Sequence, residues 1–398
     1  MDDIQAILRN MMQVAVDPTT AAVAIAVIGL NIHFGYTGLL NIGQSAFMLL
    51  GAYGMAISIT QGWPLVVAVI VGLAIAFVFA LVLGVPTLKL RGDYLAIVTI
   101  SAAEIVRYVG RSVGYERLFN LTGGAQGIAG SKYRSPFSNL SFFGSGNTTL
   151  LEFNYTDVAN GATWVRLVGW VLVVGLIWTA IRIARGKIAL ESVTRTVALV
   201  VLILLTALLT FFLVPVNQQD TGVDGWWFTV VTWVLVGISL LIVVGLTRSP
   251  WGRALKGVRE DEDAMRSLGK NVFAIKMQAL VIGGLFGAIG GMMYVLPGSV
   301  QPDAMGRNIT FFCYTALLLG GAATIWGPVL GSLIFFVGRI GIIGIANTYL
   351  SSDKYINIMN GQQTSQFAFI LVGVALMLLV IFRPQGILGD KRELRFNV

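Results

Sequence analysis

The chain has 398 residues, of which 56% are hydrophobic and 12% are charged, and its formal net charge is +8. A soluble globule of this composition would carry more apolar surface than it could bury, so we exclude that class and expect a membrane protein. The positive charge is expected to reflect membrane topology, because the sequence has no cluster of basic residues interleaved with aromatics that would indicate nucleic-acid binding.

The first twenty residues do not have the pattern of a cleaved signal peptide. They contain Asp2, Asp3 and Asp17 and lack a basic start followed by an apolar core. We expect residues 1–20 to form an external or interfacial segment. Cys313 is the only cysteine and lies in an apolar run, so an internal disulfide is excluded and the thiol is expected to be a small buried hydrophobic group.

Apolar runs of about 20 residues recur along the chain and predict helices that cross a bilayer. They are apolar on all faces, whereas strands of a membrane barrel would alternate apolar and polar residues. The expected fold is therefore all-α, a polytopic transmembrane helix bundle with broken helices, about nine core segments and an inserted two-helix hairpin. The predicted segments are Ala21–Gly38, Gly43–Thr60, Pro64–Val85, Tyr94–Val109, Trp164–Ile183, Val197–Val216, Trp226–Leu246, Phe273–Leu296, Thr310–Gly320, Pro328–Tyr349 and Gln366–Phe382.

The predicted organisation has five parts. After residues 1–20, the first part of the core covers residues 21–129, and an insertion with a long external loop and the hairpin covers 130–225. The core resumes over 226–382 and contains a cytoplasmic loop at 247–271, and residues 383–398 form a tail. Basic residues favour a cytoplasmic tail, because the segments on its side carry about twice as many lysines and arginines as the opposite side.

Three glycine-rich passages interrupt the apolar runs, at Gly35–Gly38, Thr122–Gly124 and Gly320–Pro328. The run from Thr310 to Leu319 is too short to span a bilayer and is predicted to be a half-helix. Broken helices in membranes line cavities or are buried in protein, so the polar residues beside the breaks are candidates for a substrate pathway. Close helix packing through glycine is the competing interpretation. The pathway candidates are Asn31, Tyr36, Thr37, Asn41, Gln44, Ser45, Gly320 and Gly321.

Few charged residues lie inside the predicted spans. Glu104 and Arg107 are three residues apart on one helix face, which favours an ion pair with a structural role. Arg339 is a further intramembrane charge. His33 is expected to be a packed or helix-bonded histidine rather than a ligand, and we predict no catalytic residues and no metal site.

The most polar segment is the loop from Arg248 to Lys270, which we predict to contain a short amphipathic helix. Its acidic residues, from Glu260 to Asp263, suit a helix N-terminus, and Gly269 can close the helix in a left-handed conformation. Ala264 and Leu268 would form a narrow apolar face for a groove on a partner. A plain solvated connector is the alternative.

Motifs in the same order along the chain resemble those of the LivM-type permeases of ABC importers for branched-chain amino acids. These motifs are Gly29–Asn31, Gly35–Gly43, Gly51–Tyr53, Leu90–Thr99, Ala103–Arg107, Asn120–Gly124, the polar loop, Leu319–Gly321, Trp326–Gly331 and Arg383–Gly386. In such permeases the loop docks into a cleft on an ATPase subunit. Glu260, Ala264 and Gly269 are similar to its signature residues, although the Glu-Ala-Ala element is incomplete.

The resemblance implies several partners: two cytoplasmic ATPase subunits, a second related permease and an external solute-binding protein, all at a bacterial cell membrane. The chain has no Gly-x(4)-Gly-Lys-Ser/Thr phosphate loop, so we expect no cofactor on this chain and ATP on a partner subunit.

The expected function is therefore inward transport of branched-chain or similar neutral amino acids by alternating access, without enzyme activity in this chain. Urea or short amides are alternative substrates. An ion-coupled secondary carrier is disfavoured, because intramembrane carboxylates are scarce.

Overall fold

The computed structural model describes residues 2–89, 92–112, 121–140, 163–184, 225–350, 361–382 and 386–389, together with 198–199, 201–202 and 205–206. Helices dominate these ranges, and β pairing within them is limited to an isolated bridge between Ile128 and Val300. The predicted all-α fold is confirmed.

The main helices, in chain order, are α1 (Asp2–Val16), α2 (Pro18–Leu30), α3 (Gln44–Thr60), α4 (Leu65–Thr87), α5 (Gly92–Arg111), α6 (Thr163–Ala184), α7 (Gly225–Arg248), α8 (Pro250–Glu260), α9 (Glu262–Ser267), α10 (Val272–Val295), α11 (Arg307–Gly320), α12 (Gly327–Leu350) and α13 (Gly361–Phe382). A π-helical segment, Asn31–Tyr36, continues α2. The predicted segment Val197–Val216 lies mostly outside the described residues.

Five of the described helices are long and apolar enough to cross a membrane, which supports a multi-pass protein. They are Pro18–Tyr36, Leu65–Thr87, Trp227–Arg248, Val272–Val295 and Gly327–Tyr349. Helix α11 begins at Arg307 rather than at the predicted Thr310, and its 14 residues rise about 21 Å, which is less than the hydrocarbon thickness of about 30 Å.

Helix α2 lies at the centre of the bundle, and α4 lies at its edge. Every residue of α2 from Thr20 to Leu30 is buried, whereas α4 exposes apolar side chains such as Val66, Val78 and Val82. An exposed and uniformly apolar face is suited to contact with lipid. Helix α10 packs against α2, α3 and α4 and ties the centre to the edge.

The bundle is held together by close backbone contacts at glycine. A Cβ on Gly291 of α10 would lie 2.0 Å from the carbonyl oxygen of Met48 in α3, and a Cβ on Gly51 of α3 would lie 2.6 Å from that of Ala288. Small residues allow this approach, which is a principal source of helix association in membranes.

The N-terminal segment forms α1 and packs on α12. Positions for a Cβ on Gly341 and Gly344 of α12 lie 3.0 Å from Met11 and 3.2 Å from Ile7. The indole nitrogen of Trp233 donates a hydrogen bond to the carbonyl oxygen of Val16 over 2.9 Å. The predicted external or interfacial position of residues 1–20 stays a prediction.

Residues 121–140 cover the end of the bundle opposite α8 and α9. The hydroxyl of Tyr133 donates to the carbonyl oxygen of Val295 over 2.6 Å, and Arg134 Nη2 donates to the carbonyl oxygens of Pro297 and Gly298 over 3.0 and 2.9 Å. Burial raises the pKa of Tyr133, so its phenol stays a neutral donor. The start of the predicted insertion is thus packed against the core.

We predict that Gly291→Ala lowers the stability of the bundle by about 1–3 kcal/mol, because the new methyl group meets the backbone of α3 rather than a side chain that can move. Thermal unfolding of the purified protein in detergent measures the effect. Gly245→Ala in α7 is the matched control, since no atom lies within 4 Å of its Cβ position. Equal melting temperatures for the two variants would contradict this packing.

Candidate functional site

The first break in the helices is the π segment that follows α2. Asn31, Tyr36 and Thr37 are buried there, with exposed fractions of 1%, 2% and 2%. The Thr37 hydroxyl donates to the carbonyl oxygen of Ile32 over 2.8 Å. Single π turns are rare and often occur at functional sites, because they free backbone groups from regular pairing.

Asn31 joins the π segment to the turn between α11 and α12. Its Nδ2 donates to the carbonyl oxygen of Thr324 over 2.8 Å, and its Oδ1 accepts from the amide of Ala323 over 2.9 Å. The turn needs this support, because Ala323 has a φ of 61°, and Gly321 a φ of 111°, both positive. The first and third glycine-rich passages therefore meet at one place.

His33 and Asn41 continue the buried network. His33 Nε2 lies 3.1 Å from the carbonyl oxygen of Leu280, and His33 Nδ1 lies 3.1 Å from Asn41 Nδ2. A carbonyl needs a donor and an amide nitrogen needs an acceptor, so this imidazole is neutral with its proton on Nε2. The hydroxyl of Tyr314 donates to the carbonyl oxygen of Asn41 over 2.9 Å. The prediction of a helix-bonded histidine is confirmed.

Gln44 and Ser45 begin α3 deep inside the bundle. Gln44 Nε2 donates to the carbonyl oxygen of Ala26, halfway along the first span, over 3.1 Å. The Ser45 amide donates to the Thr310 hydroxyl over 3.0 Å. Gln44 Oε1 is buried and has no hydrogen-bond partner among the described residues. It is a free acceptor near the middle of the bundle.

The eight pathway candidates are thus brought together within the bundle interior, where they are buried from solvent. Asn31 pairs with the turn before α12, and backbone groups of Asn41 and Ser45 bond to α11. Gln44 pairs with α2, and Thr37 pairs with the π segment itself. Their predicted role in a pathway stays a prediction. Gly320 and Gly321 form the tight turn itself, since a Cβ on Gly320 would lie 1.8 Å from the carbonyl oxygen of Gly327.

The predicted ion pair between Glu104 and Arg107 is present, with a separation of 2.9 Å. Arg107 also contacts Asp303, in the loop before α11, over 2.9 Å, and Arg307 lies 3.8 Å from Glu104. The cluster joins α5 to α11 at the end of the bundle covered by residues 121–140. Sequence reasoning missed Asp303, because spacing along one helix carries no information about a distant loop.

The polar loop consists of two helices, where we expected one. Helix α8 ends at Glu260, and Asp261 caps α9, its Oδ1 accepting from the amides of Asp263 and Ala264 over 2.9 Å each. The acidic residues predicted at a helix N-terminus do lie there, since Asp261 is the N-cap of α9 and Glu262 and Asp263 are in its first turn, whereas Glu260 is the last residue of α8. Gly269 closes α9 with a φ of 73°, as predicted.

Helix α9 is the exposed part of the loop. It has no buried residues, and the predicted apolar face points to solvent, with Ala264 exposed and Leu268 73% exposed. Contacts that the sequence did not reveal hold the loop to the bundle. Glu262 forms an ion pair with Lys276 of α10, and Arg259 Nη1 donates to the carbonyl oxygen of Gly35 in the π segment.

The ligand types needed for a metal are scattered. No group of three or more His, Cys, Asp or Glu side chains that could hold a metal ion occurs within the described part of the chain. Cys313 is fully buried and uncrosslinked, as expected for a small hydrophobic group.

A bundle of apolar spanning helices, two of them interrupted beside buried polar side chains, defines a multi-pass membrane transport protein. A family profile described as "Branched-chain amino acid transport system / permease component" matches residues 16–382. The chain therefore belongs to this family of permease components, as the sequence motifs indicated.

Individual relatives agree with the profile. The "High-affinity branched-chain amino acid transport system permease protein LivM" of Escherichia coli (strain K12) is 27% identical over 370 residues, covering 92% of this chain and 67% of the relative. The protein of the same name from Salmonella typhimurium is 27% identical over 374 residues, with the same shares, 92% and 67%. The "Fructose import permease protein FrcC" of Rhizobium meliloti is 26% identical over 160 residues, covering 38% of this chain and 40% of the relative. No solved structure matches the chain.

We predict that Asn31→Ala destabilises the protein by about 1–3 kcal/mol, since it leaves the buried amide of Ala323 and carbonyl of Thr324 unpaired. Chemical unfolding of the purified protein measures the loss. Asn308→Ala, at an exposed position of α11, should stay close to the wild type. A loss in Asn308→Ala as large as that in Asn31→Ala would contradict the bridging role of Asn31.

Proposed function

We propose that this chain is the membrane-spanning permease subunit of an ATP-driven importer that moves branched-chain or similar neutral amino acids inward by alternating access. The observation that carries the proposal is the family match over residues 16–382. The exposed helix α9, held against a bundle with two broken helices, supports it.

ATP would be bound and hydrolysed on partner subunits. The sequence has no phosphate loop for ATP, and α9 offers a partner the exposed side chain of Leu268. In this proposal α8, α9 and the C-terminal tail lie on the cytoplasmic side of a bacterial cell membrane. Two ATPase subunits, a second related permease and an external solute-binding protein complete the assembly.

The substrate would pass beside the broken helices. Gln44 Oε1, a buried acceptor without a partner among the described residues, supports this path, because an ammonium or amide group of a solute is a donor it could accept from. Urea and short amides share that chemistry and are the alternative substrates. One relative is named as a fructose import permease, so similarity alone does not identify the substrate, and a direct assay has to do so.

We predict that vesicles containing the assembled importer take up labelled leucine only when ATP is supplied on the side of α9. Competition by unlabelled valine or urea then identifies the substrate class. Ionophores that collapse proton and sodium gradients are the control and should leave uptake unchanged. Uptake that continues without ATP and stops with an ionophore would contradict the proposal in favour of an ion-coupled carrier.

We predict that Leu268→Ser weakens the binding of the ATPase subunit by about tenfold or more, because burial of a leucine side chain in an interface contributes roughly 1.5–3 kcal/mol. Co-purification of the ATPase with the tagged permease measures binding. Ser267→Ala, at the neighbouring exposed position, is the matched control and should bind normally. Equal binding by both variants would remove Leu268 from the docking surface.

A further inference from the structure

Helix α8 is fixed to the bundle, although the loop that contains it is polar. Leu255 and Val258 are buried, with exposed fractions of 0% and 2%. The indole nitrogen of Trp251 donates to Gln278 Oε1 of α10 over 2.8 Å. Since α9 follows α8 after the single residue Asp261, a force on the exposed α9 is passed to α8.

Arg259, in the last turn of α8, reaches from the loop into the broken first span. Its Nη1 donates to the carbonyl oxygen of Gly35, and its Cγ lies 3.2 Å from the Cβ position of Gly38, whose φ is 75°. Gly35 is the next-to-last residue of the π segment. Carbonyls at the end of a helical segment lack partners within it, and here a side chain supplies the donor.

The contact continues from Gly35 to the second break. A Cβ at Gly35 would lie 2.0 Å from Asn31 Oδ1 and 2.6 Å from the amide of Ala323. Asn31 in turn holds Ala323 and Thr324 through the two hydrogen bonds described above. The backbone of the π segment therefore touches both the loop and the turn between α11 and α12.

The turn is also tied to the chain's last described residues. The amides of Ile387 and Leu388 donate to the carbonyl oxygens of Leu319 and Gly320, each over 3.0 Å. Most of these bonds involve backbone atoms, which cannot move away by changing a rotamer. The turn and the π segment are therefore expected to follow α8 as a unit.

We propose that Arg259 is a positioning residue that passes movement of the α8–α9 loop to the two broken helices. The inference rests on the proposed function, because that function supplies the ATPase that moves α9. It assigns this role to the side chain of Arg259. Through the hydrogen bond from Arg259 to Gly35, a movement of the loop would shift the π segment and the turn at 321–324.

The test compares Arg259→Ala and Arg259→Lys with Arg253→Ala in the assembled importer. Arg253 is an exposed arginine of the same helix, so its variant changes the charge equally. We expect Arg259→Ala to lose about tenfold in leucine uptake while ATP hydrolysis in the same vesicles continues. A loss of this size corresponds to the loss of one hydrogen bond from a charged group. Arg259→Lys, which keeps a donor, should recover part of the uptake, and Arg253→Ala should match the wild type.

Parallel loss of uptake and hydrolysis in Arg259→Ala, or no loss, would overturn the inference while leaving the proposed function intact. Absence of ATP-driven uptake in the wild type would instead overturn the proposed function. Hydrogen exchange on the purified permease tests the role of Arg259 separately from the proposed function, because the measurement does not require the ATPase. Faster exchange at Ala323 in Arg259→Ala than in Arg253→Ala supports the link, and equal exchange overturns it.

Discussion

Each backbone group freed by a break in a membrane helix has to find a partner inside the protein, because lipid offers none. The first span breaks at the π segment, and the chain breaks again between α11 and α12. Asn31 supplies both a donor and an acceptor to the second break, and Arg259 supplies a donor to the first. The two breaks are therefore paired with each other and with the polar loop.

The surrounding helices make this arrangement feasible. Helix α2 is surrounded on all sides, so the breaks lie within protein, and glycines of α10 let its backbone approach α2 and α3. Exposed apolar side chains lie on α4, at the edge, and also on α5, α6, α7, α12 and α13. The bundle thus combines a buried interior with an exposed helix, α9, that is accessible to a partner.

Much of this could be predicted from local sequence. Apolar runs predicted the helices, and the glycine at position 269 predicted the left-handed end of α9. The acidic residues from Glu260 to Asp263 predicted the N-terminus of α9, but the sequence did not single out Asp261 as the cap, because four adjacent acidic residues compete for the same free amides. Arg259 and Asp303 were missed, since each bonds to a residue far away in the chain and nothing in local spacing indicates such partners. Lys276 was missed because its partner, Glu262, lies on a different helix, so spacing along one helix does not relate the two. The basic residues of the loops were interpreted only as a sign of membrane topology, and their individual hydrogen bonds were not foreseen.

The central claim is that α8 and the turn before α12 move as a unit. Spin labels at the exposed positions Arg253 in α8 and Leu330 in α12, with a second pair at Arg253 and Gln61 beyond α3, report the two distances. In the assembled importer, we expect trapped nucleotide to leave the 253–330 distance unchanged and to shift the 253–61 distance. A shift in the 253–330 distance with a constant 253–61 distance would contradict the account.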